Sequence, residues 1–170
     1  GHKIDKGGQW VGPQQTLLLA QAADVGVESY DQVNTGRSVL HFNDRVKTSR
    51  SEIPKMPFLS LLELQRVVSR LDRMAFSLPP DAPWAGPNAK AQDSQTFETW
   101  ITQNVRTDAA QEFLRLVTRS VFCCEPQHVS LLYFLDYVRG GEGIDVLTGV
   151  SGGAQEAKFR GGAHQITELM

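Results

Sequence analysis

Apolar residues recur most regularly between Leu64 and Leu78. Leu64, Val67, Val68, Leu71, Met74, Ala75 and Leu78 follow the i, i+3, i+4, i+7 rule and predict one buried helical face. Arg66, Arg70 and Arg73 fall on the opposite side, which reads as a solvated face before it reads as an anion site. Pro79-Pro80 end the run. Weaker patterns of the same period predict four more helical stretches. One is opened at its first turn by Pro13, carries Leu17, Leu18 and Ala22 to Val25, and stops at Gly26. A second is capped by Ser94 and runs to about Asn104. A third is capped by Thr107 and carries Ala110, Phe113, Leu114, Val117 and Val121. The fourth follows the break at Pro126 with Leu131, Phe134, Leu135 and Val138, and is closed by Gly140-Gly141.

Strand patterns are short. Ile4–Trp10 reads as the end of a strand, and Val27–Tyr30 and Ser38–Phe42 as strands separated by turn chemistry at Asn34-Thr35-Gly36. Residues 51–57 form a Pro-punctuated connector. Residues 79–93 read as an ordered loop pinned by Trp84, because a flexible linker has no use for a tryptophan. Near the end, Gly152-Gly153 and Gly161-Gly162 are two double-glycine turns bracketing a strand-like piece, Glu156–Phe159, with a helix starting near Gly162. The resulting class is α+β, mostly helical with a few short strands.

Composition narrows the function classes. With 170 residues the chain can bury one sizeable core, or one large domain plus a lobe. Seventeen Lys and Arg against nineteen Asp and Glu leave a net charge of -2, and no basic stripe interleaved with aromatics argues for nucleic acid. No apolar run approaches the roughly 18–20 residues of a membrane span, and GHKIDKGGQW contains no apolar signal segment. Cys123 and Cys124 are adjacent, a spacing poor for a disulfide and wrong for zinc, so reduced, buried thiols and a cytoplasmic setting are expected.

One motif stands apart, Gly7-Gly8-Gln9-Trp10-Val11-Gly12-Pro13. Two glycines without Cβ let backbone approach something closely, and the tryptophan adds a flat face beside them. A tight strand-to-helix turn would also produce the pattern. Catalytic machinery is harder to find. His2, His41, His128 and His164 are scattered, and there is no nucleophile elbow, P-loop or G-x-G-x-x-G turn. Asp136 lies opposite Leu131 and Leu135 on its helix, and Glu156 suits a structural ion pair better than a general base. No catalytic residue and no metal ligand set is assigned.

Read in order, four segments resemble the flavin-dependent amine oxidases, and among them the monoamine oxidase type. GGQWVGPQQ at 7–15 is similar to the family's GG-x-aromatic-V-G-P-T-Q segment, and DAPW at 81–84 to a loop before its small helices. EPQHVSLLYFLDYV at 125–138 resembles a family helix, and SGGAQEAKFRGGAHQI at 151–166 its N-G-G-Q-E-x-K-F-x-G-G segment. The resemblance implies a two-domain FAD-linked fold. Residues 1–16 would be the end of the FAD-binding segment and residues 17–170 part of the substrate-binding domain. The family's dinucleotide turn would precede Gly1 and its second flavin-binding half would follow Met170, so the isolated chain is expected to be colourless and inactive.

Carried over residue by residue, Gly7, Gly8, Gln9 and Trp10 match the loop along the flavin, with Trp10 also bordering the substrate. Val117, Ser120 and Val121 match positions lining the amine cavity, Leu147 and Thr148 its gate, and Gln155 a glutamine meeting the substrate. Ser120 and Thr148 are polar where the mammalian enzymes are bulky or apolar, and the tail reads G-G-A-Q in place of N-G-G-Q. The implied activity is oxidative deamination of a primary or secondary amine, with O2 as second substrate and hydrogen peroxide released. The partners expected are a small amine and O2, with no nucleic acid, no membrane segment in this chain, and a homodimer possible for the whole enzyme. A polyamine or L-amino-acid oxidase of the same fold is the alternative enzyme. A non-catalytic remnant or interaction module binding no flavin is the alternative of another class.

Overall fold

The computed structural model describes residues 5–42, 45–49 and 56–170. Contacts divide the chain into two compact units, Gly1–Arg37 with Asp145–Met170, and Ser38–Ile144. The first unit is therefore discontinuous in sequence. Its backbone pairing joins the two separated stretches. Strand β1 (Trp10–Val11) and strand β2 (Ser29–Asp31) flank β5 (Ala157–Phe159) in a three-stranded sheet of order β1-β5-β2, antiparallel at both steps. Helices α1 (Thr16–Asp24) and α8 (His164–Leu169) complete it. Its core is Val11, Ala22, Val27, Phe159 and Ile166, with Leu19, Val25, Ala157 and Ala163 against them.

Several expectations shift here. The first strand begins at Trp10, because residues 5–9 are occupied by a bend and extended chain, and Ile4 lies outside the described residues. Helix α1 starts at Thr16 instead of Pro13. The Gln15 N–H bonds back to the Gly12 carbonyl at 3.1 Å, closing a turn over Pro13-Gln14 before the helix can begin. Of the three apolar residues expected on it, Ala22 is buried and Leu17 is 87% exposed.

The second unit opens with a two-stranded antiparallel hairpin, β3 (Ser38–Phe42) and β4 (Arg45–Ser49); the second strand has no clear signal in the sequence. The 51–57 connector lies almost wholly outside the described residues. Helix α2 (Phe58–Phe76) buries Leu64, Val67, Leu71 and Ala75, the predicted face. The predicted solvated face is exposed, but Arg70 does more than meet water. It donates to Asn104 Oδ1 at 2.9 Å and lies 5.4 Å from the centre of the Trp100 ring.

The loop after α2 is ordered for a reason other than Trp84, which is 71% exposed. A 3-10 turn (Pro83–Ala85) and helix α3 (Ala89–Asp93), with Ala89 and Gln92 buried, hold it in place. Ser94 ends α3, and the cap of α4 (Phe97–Asn104) is Thr96, whose Oγ1 accepts from the Thr99 N–H at 3.1 Å. Helix α6 (Leu131–Gly140) starts beside it, with Ser130 Oγ accepting from the Tyr133 N–H at 3.1 Å. The Phe97 and Leu131 N–H groups bond across to the Val129 and Gln95 carbonyls, at 2.8 and 3.0 Å. The two helices thus leave from one short antiparallel bridge, which stacks Phe97 on Phe134 with ring centres 3.7 Å apart. Leu131, Phe134, Leu135 and Val138 are all buried, as their spacing predicts.

Helix α5 (Asp108–Phe122) buries Ala110, Leu114, Val117 and Thr118; Phe113 is only half-buried. Thr107 occupies the cap position, but its side chain makes no capping bond. The cap comes from a distant helix: the Glu63 carboxylate of α2 accepts from the Arg106 and Thr107 N–H groups, each at 2.8 Å. Arg115 then bridges α5 to α4 through Glu98 at 2.6 Å, and Arg119 joins Glu112 and Glu125. The short helix α7 (Ile144–Thr148) follows α6 and leads into the first unit. Among the described residues no helix is long and apolar enough to cross a membrane.

Partial burial pushes the Glu63 pKa up. The hydrogen bonds from Thr107 and Arg106, with the Arg106 charge beside them, outweigh it and hold the carboxyl below its ordinary range. A carboxyl depressed by folding stabilises the protein at pH values above its unfolded pKa, and that contribution disappears as acid carries it through the folded value. Glu63→Gln is expected to lower stability at neutral pH by about 1–3 kcal/mol, the scale of hydrogen bonds to a charged group. The gap from the parent protein should close in acid. Urea titrations at both pH values check this; a gap that does not depend on pH removes the charge from the account.

Candidate functional site

The loop motif, the end of α7 and the first double-glycine turn meet within one compact unit, and glycine is what lets them. The Ala154 N–H bonds to the Val146 carbonyl at 2.8 Å and the Gln155 N–H to the Gly149 carbonyl at 3.3 Å, stitching the tail onto α7. A Cβ on Gly153 would overlap the Gly149 carbonyl oxygen and lie 2.8 Å from its Cα. A Cβ on Gly12 would fall 2.6 Å from the Gly153 carbonyl oxygen and 2.9 Å from Ala154 Cα. Gln14 Nε2 donates to the Gly152 carbonyl at 2.8 Å, while Gln15 Oε1 accepts from the Gly12 N–H at 2.9 Å. The backbones carrying Trp10, Leu147, Thr148 and Gln155 are thereby gathered into one cluster.

Gly7 and Gly8 are exposed, Gly8 has φ +45°, and a Cβ on either would meet nothing within 4 Å. Their N–H groups bond to no described residue. Side chains are absent there, and both donors are open among the described residues. Gln9 is half-buried and Trp10 is 38% exposed. The donors are open backbone N–H groups and one amide side chain, polar but uncharged, and the indole, whose Nε1–H is bonded to Gln32, adds a flat face.

Gln155 is half-buried, and its side-chain amide bonds to no described residue. The turn beside it is held by other groups: Gln14 binds the Gly152 carbonyl, and the Glu156 carboxylate accepts from the Gly152 N–H. Glu156 is thus structural through a backbone N–H, and among the described residues it forms no ion pair. Leu147 and Thr148 are half-buried on α7.

Val117, Ser120 and Val121 belong to the other compact unit. Their spacing gives one face of α5, along which Val117 is buried, Val121 half-buried and Ser120 exposed. Cys123 ends that helix in a left-handed conformation, φ 53°, and is exposed; Cys124 is half-buried. Both thiols are free, and the expectation of burial fails for Cys123 because the left-handed turn carries it off the helix. His128 lies exposed on a 3-10 turn, and His164 is exposed 3.6 Å from Glu168. Among the described residues no group of three His, Cys, Asp or Glu side chains could hold a metal ion.

Residue types alone did not single out Gln14, Gln15, Gln32 or Lys158. The pair of glutamines directly after Gly12-Pro13 was a usable signal, since amide side chains beside a glycine turn are suited to bonding its backbone.

The family model described as flavin containing amine oxidoreductase matches residues 1–170. A protein of Mycobacterium tuberculosis named as a flavin-containing monoamine oxidase, AofH, is 31% identical over 168 residues, covering 99% of this chain and 37% of that protein. The flavin-containing amine oxidase A of Bos taurus is 32% identical over 168 residues, covering 97% of this chain and 32% of that protein. Among solved structures, cyclohexylamine oxidase from Brevibacterium oxydans superposes with a TM-score of 0.89 at 30% identity, over 98% of this chain and 37% of that one. A putrescine oxidase variant reaches the same TM-score at 21% identity, a likeness of fold. The chain spans about a third of the length of the curated relatives it matches.

Gly153→Ala is expected to cost about 1–3 kcal/mol, as overpacking does, because the Gly149 backbone it strikes cannot turn aside. Gly7→Ala should stay within about 0.5 kcal/mol, the range of an unobstructed surface change. Thermal unfolding of the two variants side by side checks the junction; equal losses would show that Gly153 is not confined.

Proposed function

The chain belongs to the flavin-containing amine oxidoreductase family, and we propose that the whole protein uses FAD to deaminate a primary or secondary amine oxidatively, releasing hydrogen peroxide. In this reading residues 1–16 end the FAD-binding segment and residues 17–170 form part of the substrate-binding domain. The observation that carries it is the glycine junction, which sets the backbone after Trp10 against the turn that leads to Gln155. The donors there suit a flat polar ring. Gly7 and Gly8 offer N–H groups with no Cβ in the way, Gln9 an amide, and Trp10 a flat apolar face. The chemistry supplied by the bound group is acceptance of hydride from the amine-bearing carbon and return of the electrons to O2.

This chain's part is to bind, orient and exclude water. Gln155 can donate and accept at once, so its amide, which bonds to no described residue, orients a neutral amine without adding a charge. Val117, Ser120, Val121, Leu147 and Thr148 are uncharged, which favours an uncharged substrate in dry surroundings. A polyamine oxidase would need acidic residues at its substrate positions and an amino-acid oxidase an arginine for the carboxylate, and none of the assigned positions is charged. Purifying the whole protein and assaying peroxide from a series of amines tests the reading. A colourless protein that turns over none of them would support the interaction module instead.

Gln155→Ala in the whole protein should lower kcat/KM by an amount equivalent to about 1–2 kcal/mol, one lost neutral hydrogen bond, with the melting temperature nearly unchanged. A large fall in melting temperature with unaltered kinetics would assign Gln155 to the fold. Ser120→Phe should penalise long or bulky amines selectively. Uniform kcat/KM across the amine series after that change takes Ser120 out of the site.

A further inference from the structure

Trp10 receives a contact from β5 and another from the residue just past β2. Lys158 of β5 is its direct cross-strand partner, and the ammonium nitrogen lies 5.3 Å from the centre of the indole. Gln32, just past β2, accepts from the indole Nε1–H at 3.4 Å, and its own N–H is tied to the Glu156 carbonyl at 2.7 Å. Lys158 also stands opposite Tyr30, but the Tyr30 ring is occupied by Arg160, whose guanidinium carbon is 5.6 Å from its centre. The half-buried Lys158 is therefore left to Trp10. The amide bond sets the direction of the ring in its plane; the ammonium sets which face is covered.

We propose that Lys158 and Gln32 are positioning residues for Trp10, and that Lys158 also makes the indole a filter against cationic ligands. This rests on the reading of Trp10 as a border of the amine site. An aromatic face attracts cations through its quadrupole. With an ammonium already on one face, that attraction is spent, and a second positive charge nearby meets repulsion. The ring then serves as an apolar wall, suited to a neutral monoamine and unfavourable to a diamine whose far end stays protonated.

In the whole protein labelled with 5-fluorotryptophan, the Trp10 signal is identified by its loss in Trp10→Phe. Lys158→Met and Gln32→Leu should each move that signal while melting temperature holds, and Lys158→Arg should largely restore it. With flavin bound, Lys158→Met should raise kcat/KM for a diamine relative to a monoamine of equal length by about 3- to 10-fold, the scale of one cation–π or partly screened charge contact. A Trp10 signal unmoved in both variants overturns the clamp, whatever flavin or amine does. A signal that moves with an unaltered diamine ratio overturns the filter. Failure of the parent protein to bind flavin or oxidise amines would end the oxidase reading, and with it the filter, while the fluorine signal still decides the clamp.

Discussion

Gly12, Gly149 and Gly153 bring three backbones closer than any side chain permits. A Cβ at Gly12 or Gly153 would strike backbone atoms, which cannot rotate out of the way as a side-chain terminus can. The contact joins parts of the chain some 140 residues apart, and it is the loop-to-tail contact seen in the Gln14 bond to the Gly152 carbonyl. Because the meeting is between backbones, the positions of Trp10, Thr148 and Gln155 depend little on how their own side chains pack.

The second unit solves a different problem with charge and caps. Helix α5 carries Val117, Ser120 and Val121, and its start is held by Glu63 from α2 while Arg115 ties its middle to Glu98 of α4. Burial disfavours the Arg115 charge, yet its hydrogen bond to Glu98 more than offsets this and raises the pKa. A helix so fastened from two neighbours has little freedom to rotate. Rotation would change which of the three residues faces inward, and a single-residue shift in register amounts to about 100° on a helix.

The two arrangements fit one chemical requirement. A flavin-linked oxidation needs the protein to present polar groups without charge and to keep water out, since the redox step belongs to the cofactor. The assigned residues are neutral, and the ion pairs of Arg115 and Arg119 lie along helix α5. Lys158 sets its charge against the face of an aromatic ring.

How much of this was legible beforehand follows from the range of each interaction. Period and punctuation found α2, α5 and α6 nearly to the residue, because a helix's buried face is written in its own spacing and Thr107, Gly141 and the prolines mark its ends. The order of the four motifs also identified the family. Short-range chemistry misled where a distant partner took over. Thr107 stands at the cap of α5 while Glu63 does the capping, and Ser94 yields to Thr96 because α4 and α6 share a bridge. Trp84, expected to pin a loop, stands exposed beside a helix with no strong apolar period. The two-glycine turns were visible, but not their purpose. Whether a glycine serves a turn or a close approach depends on what lies against it, and only the tertiary structure brings Gly149 and Gly153 together, seats Gly12 on them and sets Lys158 over Trp10.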